Sequence, residues 1–311
     1  NNKITKEYFE DTRDLQKKLF TEIKSKIKLA DESLKFKDDR YFYWTKTIEK
    51  GNYGKYLRQK IGSQNIEVYF DGDKEKVLSG SKYFGLGSVS VSHNDELMAY
   101  SIDLKGSEYY DIFLRNLSSN KLIEEKIENT SGGISWSLDS NSFFYTPLDK
   151  YHRSKKIYKH TLGTSSRDDQ LIFEEKDETF SVSISLSSDE KFFIISTSDS
   201  NTVEEYFFLA KEEKIKPVLF KARKKGIKYS IDSWKSHWYI HTNEDALDYK
   251  ILRCEHKDII KQSIFIPPKK ETIIGSLDFL DNYILRAEKA DAIPKLFIRN
   301  INTNVEEELV I

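Results

Sequence analysis

The chain has 311 residues, 50 basic against 51 acidic side chains and a formal charge of -1, so no global field draws it to nucleic acid or to an acidic membrane surface. Charged residues make up 32% and aromatic residues 13%, which suits many short half-buried strands with a solvated rim. A single cysteine, Cys254, excludes an internal disulfide framework and points to a reducing, cytoplasmic setting, and no apolar run is long enough to predict a membrane span or a signal core.

In the N-terminal segment 1–33, Ile4, Tyr8, Phe9, Thr12, Leu15, Leu19, Phe20, Ile23 and Ile27 recur at steps of three and four, which predicts one amphipathic α-helix over Ile4–Leu29. Its apolar stripe needs a cover, by packing within the chain, by a partner chain or by a further domain. From Leu34 the pattern switches to period two. Tyr41–Lys46, Tyr56–Ile61 and Ile66–Phe70 read as strands, with turns at Gly51–Gly54 and Gly62–Asn65.

Further on, Gly133–Tyr145 (GISWSLDSNSFFY) reads as a strand, a tight polar turn and a second strand, and it recurs. Copies lie at Ser88–Tyr100, Ser181–Ile195, Tyr229–Ile240 and Ile274–Leu285, with a degraded one at Arg40–Thr45. The last apolar residues of the copies, Tyr43, Tyr100, Tyr145, Ile195, Ile240 and Leu285, are separated by 57, 45, 50, 45 and 45 residues. A period in that range with strands inside every unit predicts an all-β fold, a β-propeller of four-stranded blades. Six blades are expected over 34–311, the sixth running from Ile274 to Ile311. With Gly and Pro scarce (13 and 5), Asn, Asp and Ser must make most turns.

If strands a to d of each blade form a meander, the a–b and c–d turns lie on one face and the b–c and blade-to-blade connections on the other. The a–b turns are short: His93–Glu96, Leu138–Asn141, Ser188–Glu190, Lys235–His237 and Leu280–Asn282. The b–c connections are longer and individual: Ile102–Tyr109, Pro147–Ser154, Ser198–Glu204, Asn243–Asp248 and Ala287–Pro294. The linkers Ser81–Gly87, Glu128–Gly132 and Lys176–Phe180 join them, so this is the expected working face.

No complete catalytic constellation is legible. Gly133-Ile134-Ser135-Trp136-Ser137 lacks the second glycine of a nucleophile elbow and sits on a strand. The histidines (His93, His152, His160, His237, His241 and His256) show no metal-ligand spacing and are expected to be solvated or half-buried. Of the carboxylate pairs, the loop pair Glu244 and Asp245 suits acid-base work better than Glu174 and Glu175, which alternate across a strand, although a solvated turn is its simpler reading. Lys221–Lys225 (KARKK) has no aromatic interleaving and reads as a solvated loop, and Gly85-Leu86-Gly87 fits no phosphate-binding motif. No cofactor, metal or nucleic-acid partner is expected.

Several stretches, in order along nearly the whole chain, resemble the oligopeptidase B branch of the prolyl oligopeptidases: Tyr8-Phe9-Glu10-Asp11-Thr12, Glu128–Gly133 (ENTSGG), Tyr158–Thr164 (YKHTLGT), Asp177–Phe180 (DETF), and Trp238–His241 followed by Thr242–Ala246 (TNEDA). The resemblance implies a seven-bladed propeller that caps an α/β-hydrolase catalytic domain bearing a Ser, Asp, His triad and admits only short peptides, cleaved in this branch after Arg or Lys. It implies that the helical segment belongs with the hydrolase part. It also implies that the seventh blade and the triad lie outside this sequence, in frame beyond Ile311, so no catalytic residue carries over. The expected role is gating and substrate-size selection within a serine peptidase, with short basic peptides and the hydrolase domain as partners; the alternative is a free-standing scaffold that binds a protein or peptide. Cavity-facing or interface residues are then expected at Tyr83 and Phe84, at Glu128, Asn129, Thr130, Ser131 and Gly132, at Glu178, Thr179 and Phe180, and at Asn243, Glu244 and Asp245.

Overall fold

The period-two stretches become antiparallel strands throughout. The computed structural model describes residues 2–310, so Ile311, the expected end of blade six, lies outside the described residues. Two units result, Asn1–Lys82 and Tyr83–Ile311.

The first unit holds one blade-like sheet. Asp31–Glu32 and Phe36–Asp38 both pair with Tyr41–Thr47, which continues through Lys55–Lys60 to Ile66–Asp71. Trp44, Leu57 and Phe70 are its buried apolar side chains, and the Lys35 ammonium sits 4.4 Å from the Trp44 ring centre. The N-terminal helix is present but interrupted. Helix α1 spans Asn2–Tyr8, a 3-10 turn follows at Glu10–Thr12, and α2 spans Arg13–Ser25. The break falls at Phe9, whose carbonyl is taken by the Thr12 hydroxyl at 2.8 Å, a side-chain bond that competes with the helical ladder. Leu15, Leu19, Phe20 and Ile23 remain exposed.

A third helix, α3 (Gly72–Ser79), was not anticipated. Its signals are ordinary: Asp71 caps it by accepting the Lys74 N–H at 3.2 Å, and Gly80 ends it in the left-handed region. This insertion lengthens the first repeat spacing beyond the others. Among the described residues no helix is long and apolar enough to cross a membrane.

The second unit contains five four-stranded meanders in sequence order. Blade two is Gly85–Val91, Leu97–Asp103, Tyr110–Asn116 and Lys121–Thr130; blade three is Ser135–Trp136, Ser142–Tyr145, Lys156–Thr161 and Gln170–Glu174. Blade four is Ser181–Leu186, Phe192–Ser198, Val203–Leu209 and Val218–Lys221; blade five is Tyr229–Trp234, His237–Thr242, Lys250–Glu255 and Ser263–Ile266. Blade six is Thr272–Phe279, Tyr283–Ala290, Ile293–Asn300 and Glu306–Leu309. With the first-unit sheet these are the six blades expected, and every anchor residue from Tyr100 to Leu285 lies on a strand b.

In blades two to five strand b is buried on both sides, and successive residues serve different neighbours because side chains alternate across a strand. Phe143 and Tyr145 pack with Ala99, Ile112 and Leu114 of blade two, while Phe144 between them packs with Phe193, Ile195 and Phe208 of blade four. Phe192 and Ile194 then join Tyr229, Ile231, Trp238 and Ile240 of blade five, and Tyr239 joins Ile274 and Ile284 of blade six. Each such side chain contributes about 1.5–3 kcal/mol of apolar burial.

At the joint of blades four and five, Glu205 is buried, accepts the Ile231 N–H at 2.6 Å, and among the described residues has no Lys or Arg in an ion pair. Burial pushes its carboxyl up to about 8; the Ile231 N–H and Ser196 oppose this and Asp232 adds to it. An acid raised in this way stabilises the fold fully below the ordinary carboxylate range, and the contribution is lost as pH rises toward 8, at up to about 1.4 kcal/mol per unit. Glu205→Gln, which keeps the acceptor, should therefore gain in melting temperature relative to wild type between pH 5 and pH 8.5; parallel curves would refute this assignment.

Candidate functional site

On the b–c side of blades three and four, two carboxylate-bearing segments converge on one guanidinium. Arg223, in the linker after blade four, donates from Nη2 to Glu175 Oε2 at 2.5 Å and to Glu204 Oε1 at 3.0 Å. Its own N–H donates to Glu204 Oε2 at 2.8 Å, and its guanidinium lies 4.0 Å from the Phe180 ring centre. Glu175 also accepts the Thr197 hydroxyl at 2.6 Å, and Glu204 the Tyr206 hydroxyl at 2.8 Å. Burial by itself would raise both carboxyls; the Thr197 hydroxyl, the Asp177 N–H and Arg223 outweigh it at Glu175, and Arg223 with Tyr206 at Glu204, so both stand below their ordinary range.

The neighbouring loops are tied the same way. Arg153 bonds Asp149 Oδ2 at 3.2 Å within the b–c loop of blade three and reaches Glu178 Oε2 at 3.3 Å in the next linker. Lys221 pairs with Glu244. The expectation of a solvated basic run at Lys221–Lys225 is corrected here: Lys221 and Arg223 are in ion pairs because linkers from three blades fold onto one edge.

The expected site residues separate into two groups. Glu178, Thr179, Glu244 and Asp245 lie in loops on this face and Glu128 and Asn129 near the end of the last strand of blade two, Glu128 bonded to Lys126 at 2.9 Å and Thr179 held on Asp177 Oδ1. By contrast, Thr130, Ser131 and Gly132 are stitched into the joint of blades two and three. Thr130 is fully buried and bonds Tyr110 O at 2.9 Å, Ser131 Oγ meets Thr146 Oγ1 at 2.5 Å, and Gly132 O accepts from Ser88 and Ser101. Gly132 has φ +89 and a Cβ there would meet Ser101 Oγ at 3.0 Å, so only glycine fits without displacement. Phe84 and Phe180 are buried, and Tyr83 lies against Gly106. Asn243 spends both side-chain groups on Lys228 N and Gly226 O.

Two further expectations change. The b–c connection of blade six is no long loop: strands extend through Ala290 and from Ile293, leaving Asp291 and Ala292 as a two-residue turn with φ of 49 and 62. His160 is neither solvated nor half-buried. It is enclosed between Asp169 Oδ1 at 2.7 Å and Glu125 Oε2 at 3.0 Å, tying blade three to blade two. Ser233 Oγ stands 2.9 Å from His256 Nε2, an arrangement that resembles a nucleophile and base, but Ser233 is fully buried and meets no substrate.

The architecture defines the class: a β-propeller of four-stranded antiparallel blades with its elaborated, ion-paired loops on one face. The chain belongs to the prolyl oligopeptidase family, its residues 1–309 matching "Prolyl oligopeptidase, N-terminal beta-propeller domain". It is 26% identical over 302 residues to dipeptidyl aminopeptidase BI of Pseudoxanthomonas mexicana, covering 91% of this chain and 42% of that protein. Against protease 2 of Moraxella lacunata the identity is 24%, with 94% and 44% covered. The fold superposes on oligopeptidase B from Leishmania major with a TM-score of 0.87 at 22% identity, covering 98% of this chain and 45% of that one. The chain thus spans less than half the length of these relatives.

Arg223 holds two carboxylates that would otherwise face each other while buried. Arg223→Met should cost roughly 3 kcal/mol in denaturant unfolding at pH 7. Because both carboxyls are depressed in the folded state, the difference should shrink as pH falls through their range; a loss independent of pH would mean that packing on Phe180, not charge, carries the effect.

Proposed function

We propose that this chain is the propeller portion of an oligopeptidase-B-like serine peptidase that acts on short peptides after Arg or Lys, and that its role is gating and selection of substrate size. The single observation that carries this reading is the family match over 1–309 together with relatives named protease 2 and oligopeptidase B. Those relatives are about twice as long, which leaves room for the catalytic part beside the propeller.

In this reading the b–c face is the one that meets the hydrolase domain. Glu128, Asn129, Glu178 and Asp245 line its rim, with Glu178 tied to Arg153 and Glu128 to Lys126. A rim of ion-paired loops excludes folded proteins sterically while passing an extended chain. In this reading chemistry is left to the partner, in keeping with the full burial of Ser233 beside His256.

The chain alone should leave an arginyl or lysyl amide substrate uncleaved. Supplied with the catalytic domain of a relative, it should restore cleavage of short peptides, but not of a folded protein, in a form stopped by a serine-directed inhibitor. Inhibitor-sensitive cleavage by the chain alone, or equal cleavage of folded and short substrates by the pair, would overturn this role.

A further inference from the structure

The innermost strand of blade five, Tyr229–Trp234, runs beside a cavity of about 260 Å³ that the inner strands of blades four and six also line. The alternation of the strand puts Ser230 and Asp232 on its open side while Tyr229, Ile231 and Ser233 are buried. Asp232 accepts the N–H groups of Ser188 and Ser233 at 2.9 and 2.7 Å and the Ser188 hydroxyl at 2.5 Å. Among the described residues no lysine or arginine forms an ion pair with it or with Glu205. By contrast, Glu175, Glu204, Glu244 and Asp189 are each paired with a lysine or arginine.

The remaining walls complete a recognisable chemistry. The aromatic rings of Tyr239 and Phe279, with centres 4.8 Å apart, form part of the wall, and Ser230 and Ser276 add hydroxyl acceptors. A carboxylate, aromatic rings and hydroxyls around one space are what an ammonium or guanidinium binds. The other titratable groups nearby do not fill that role. His241 bonds Ile274 O at 2.7 Å and stacks on Tyr249, and burial holds its pKa below the ordinary value. Asp189 is paired with Lys191, and Arg253 is engaged with the Tyr239 hydroxyl and over the Phe265 ring.

We propose that this cavity binds the cationic side chain of a peptide, arginine or lysine, with Asp232 as its counter-charge. The choice of ligand rests on the peptide-processing role above; the site itself does not. Nothing in the family match or in the relatives' names assigns it.

The test titrates the 311-residue chain with argininamide and with its neutral isostere citrullinamide, read by amide chemical shifts. Argininamide should bind about tenfold more tightly, shifting residues 230–232, 239 and 276–279. Asp232→Asn should erase the preference, and Ser276→Lys, which places a competing ammonium in the cavity, should abolish binding. Equal binding of the two amides, shifts confined elsewhere, or a preference that survives Asp232→Asn would overturn the site. Should Asp232→Asn not fold, undiminished binding by Ser276→Lys would overturn it and abolished binding would support it. Failure here leaves the catalytic-partner reading standing, because that reading is judged by cleavage in the reconstituted pair.

Discussion

Two-sided burial of strand b is the constraint on which the second unit depends. A strand covered on one face needs an apolar residue at every other position, but Phe143, Phe144 and Tyr145, or Phe192 to Ile195, are apolar throughout. Each odd or even set serves a different neighbouring blade, so no blade has a complete core of its own. Trp238 shows the arrangement well: it is fully buried and its ring lies within 6 Å of Phe192, Phe207 and Phe220, all from blade four. Cohesion is therefore a nearest-neighbour property of the array.

Given that packing, the two faces solve different problems. On the a–b side the turns of blades two to four are copies of one device. Ser92, Ser137 and Ser187 each bond the Asn or Asp two residues on, and each also accepts the N–H of the first residues of strand b. The left-handed position in these turns is taken by Asp95, Ser140 and Glu190, which is how a chain so poor in glycine makes them. These turns are then tied to the next blade, Asn94 N to Ser140 Oγ in the following turn and Ser188 N to Asp232 Oδ1 on the following strand a. On the b–c side the loops of blades two to four each open on an Asp, Asp103, Asp149 and Asp199, whose Oδ1 accepts the N–H two residues on, and ion pairs then tie neighbouring loops together.

That difference explains what was legible. Strand positions, blade count and the short turns follow from patterns within about 15 residues, and these were readable. The Arg223 cluster was not, because Glu175, Glu204 and Arg223 belong to three segments with unremarkable local sequence, and only the stacking of blades brings them together. For the same reason the burial of Thr130 and Gly132, with Ser131 exposed between them, is not readable from their place in a linker. His160 was misjudged because its partners Glu125 and Asp169 lie on another blade and across a loop. Helix α3 is the exception: Asp71 and Gly80 announced both ends, and the signal was local.

The distribution of buried charge adds a last distinction. Where a carboxylate faces the b–c edge, as Glu175 and Glu204 do, the fold supplies Arg223 and fixes the loop. Where one faces the inner strands, as Asp232 does, the fold supplies only hydroxyls and N–H groups, and Glu205 behind it is held at the joint without a cation. A carboxylate stabilised by dipoles alone keeps its attraction for an external cation, whereas one already neutralised by arginine does not. The two settings therefore separate the parts of this propeller that hold its loops in place from the part whose charge is still available to a ligand.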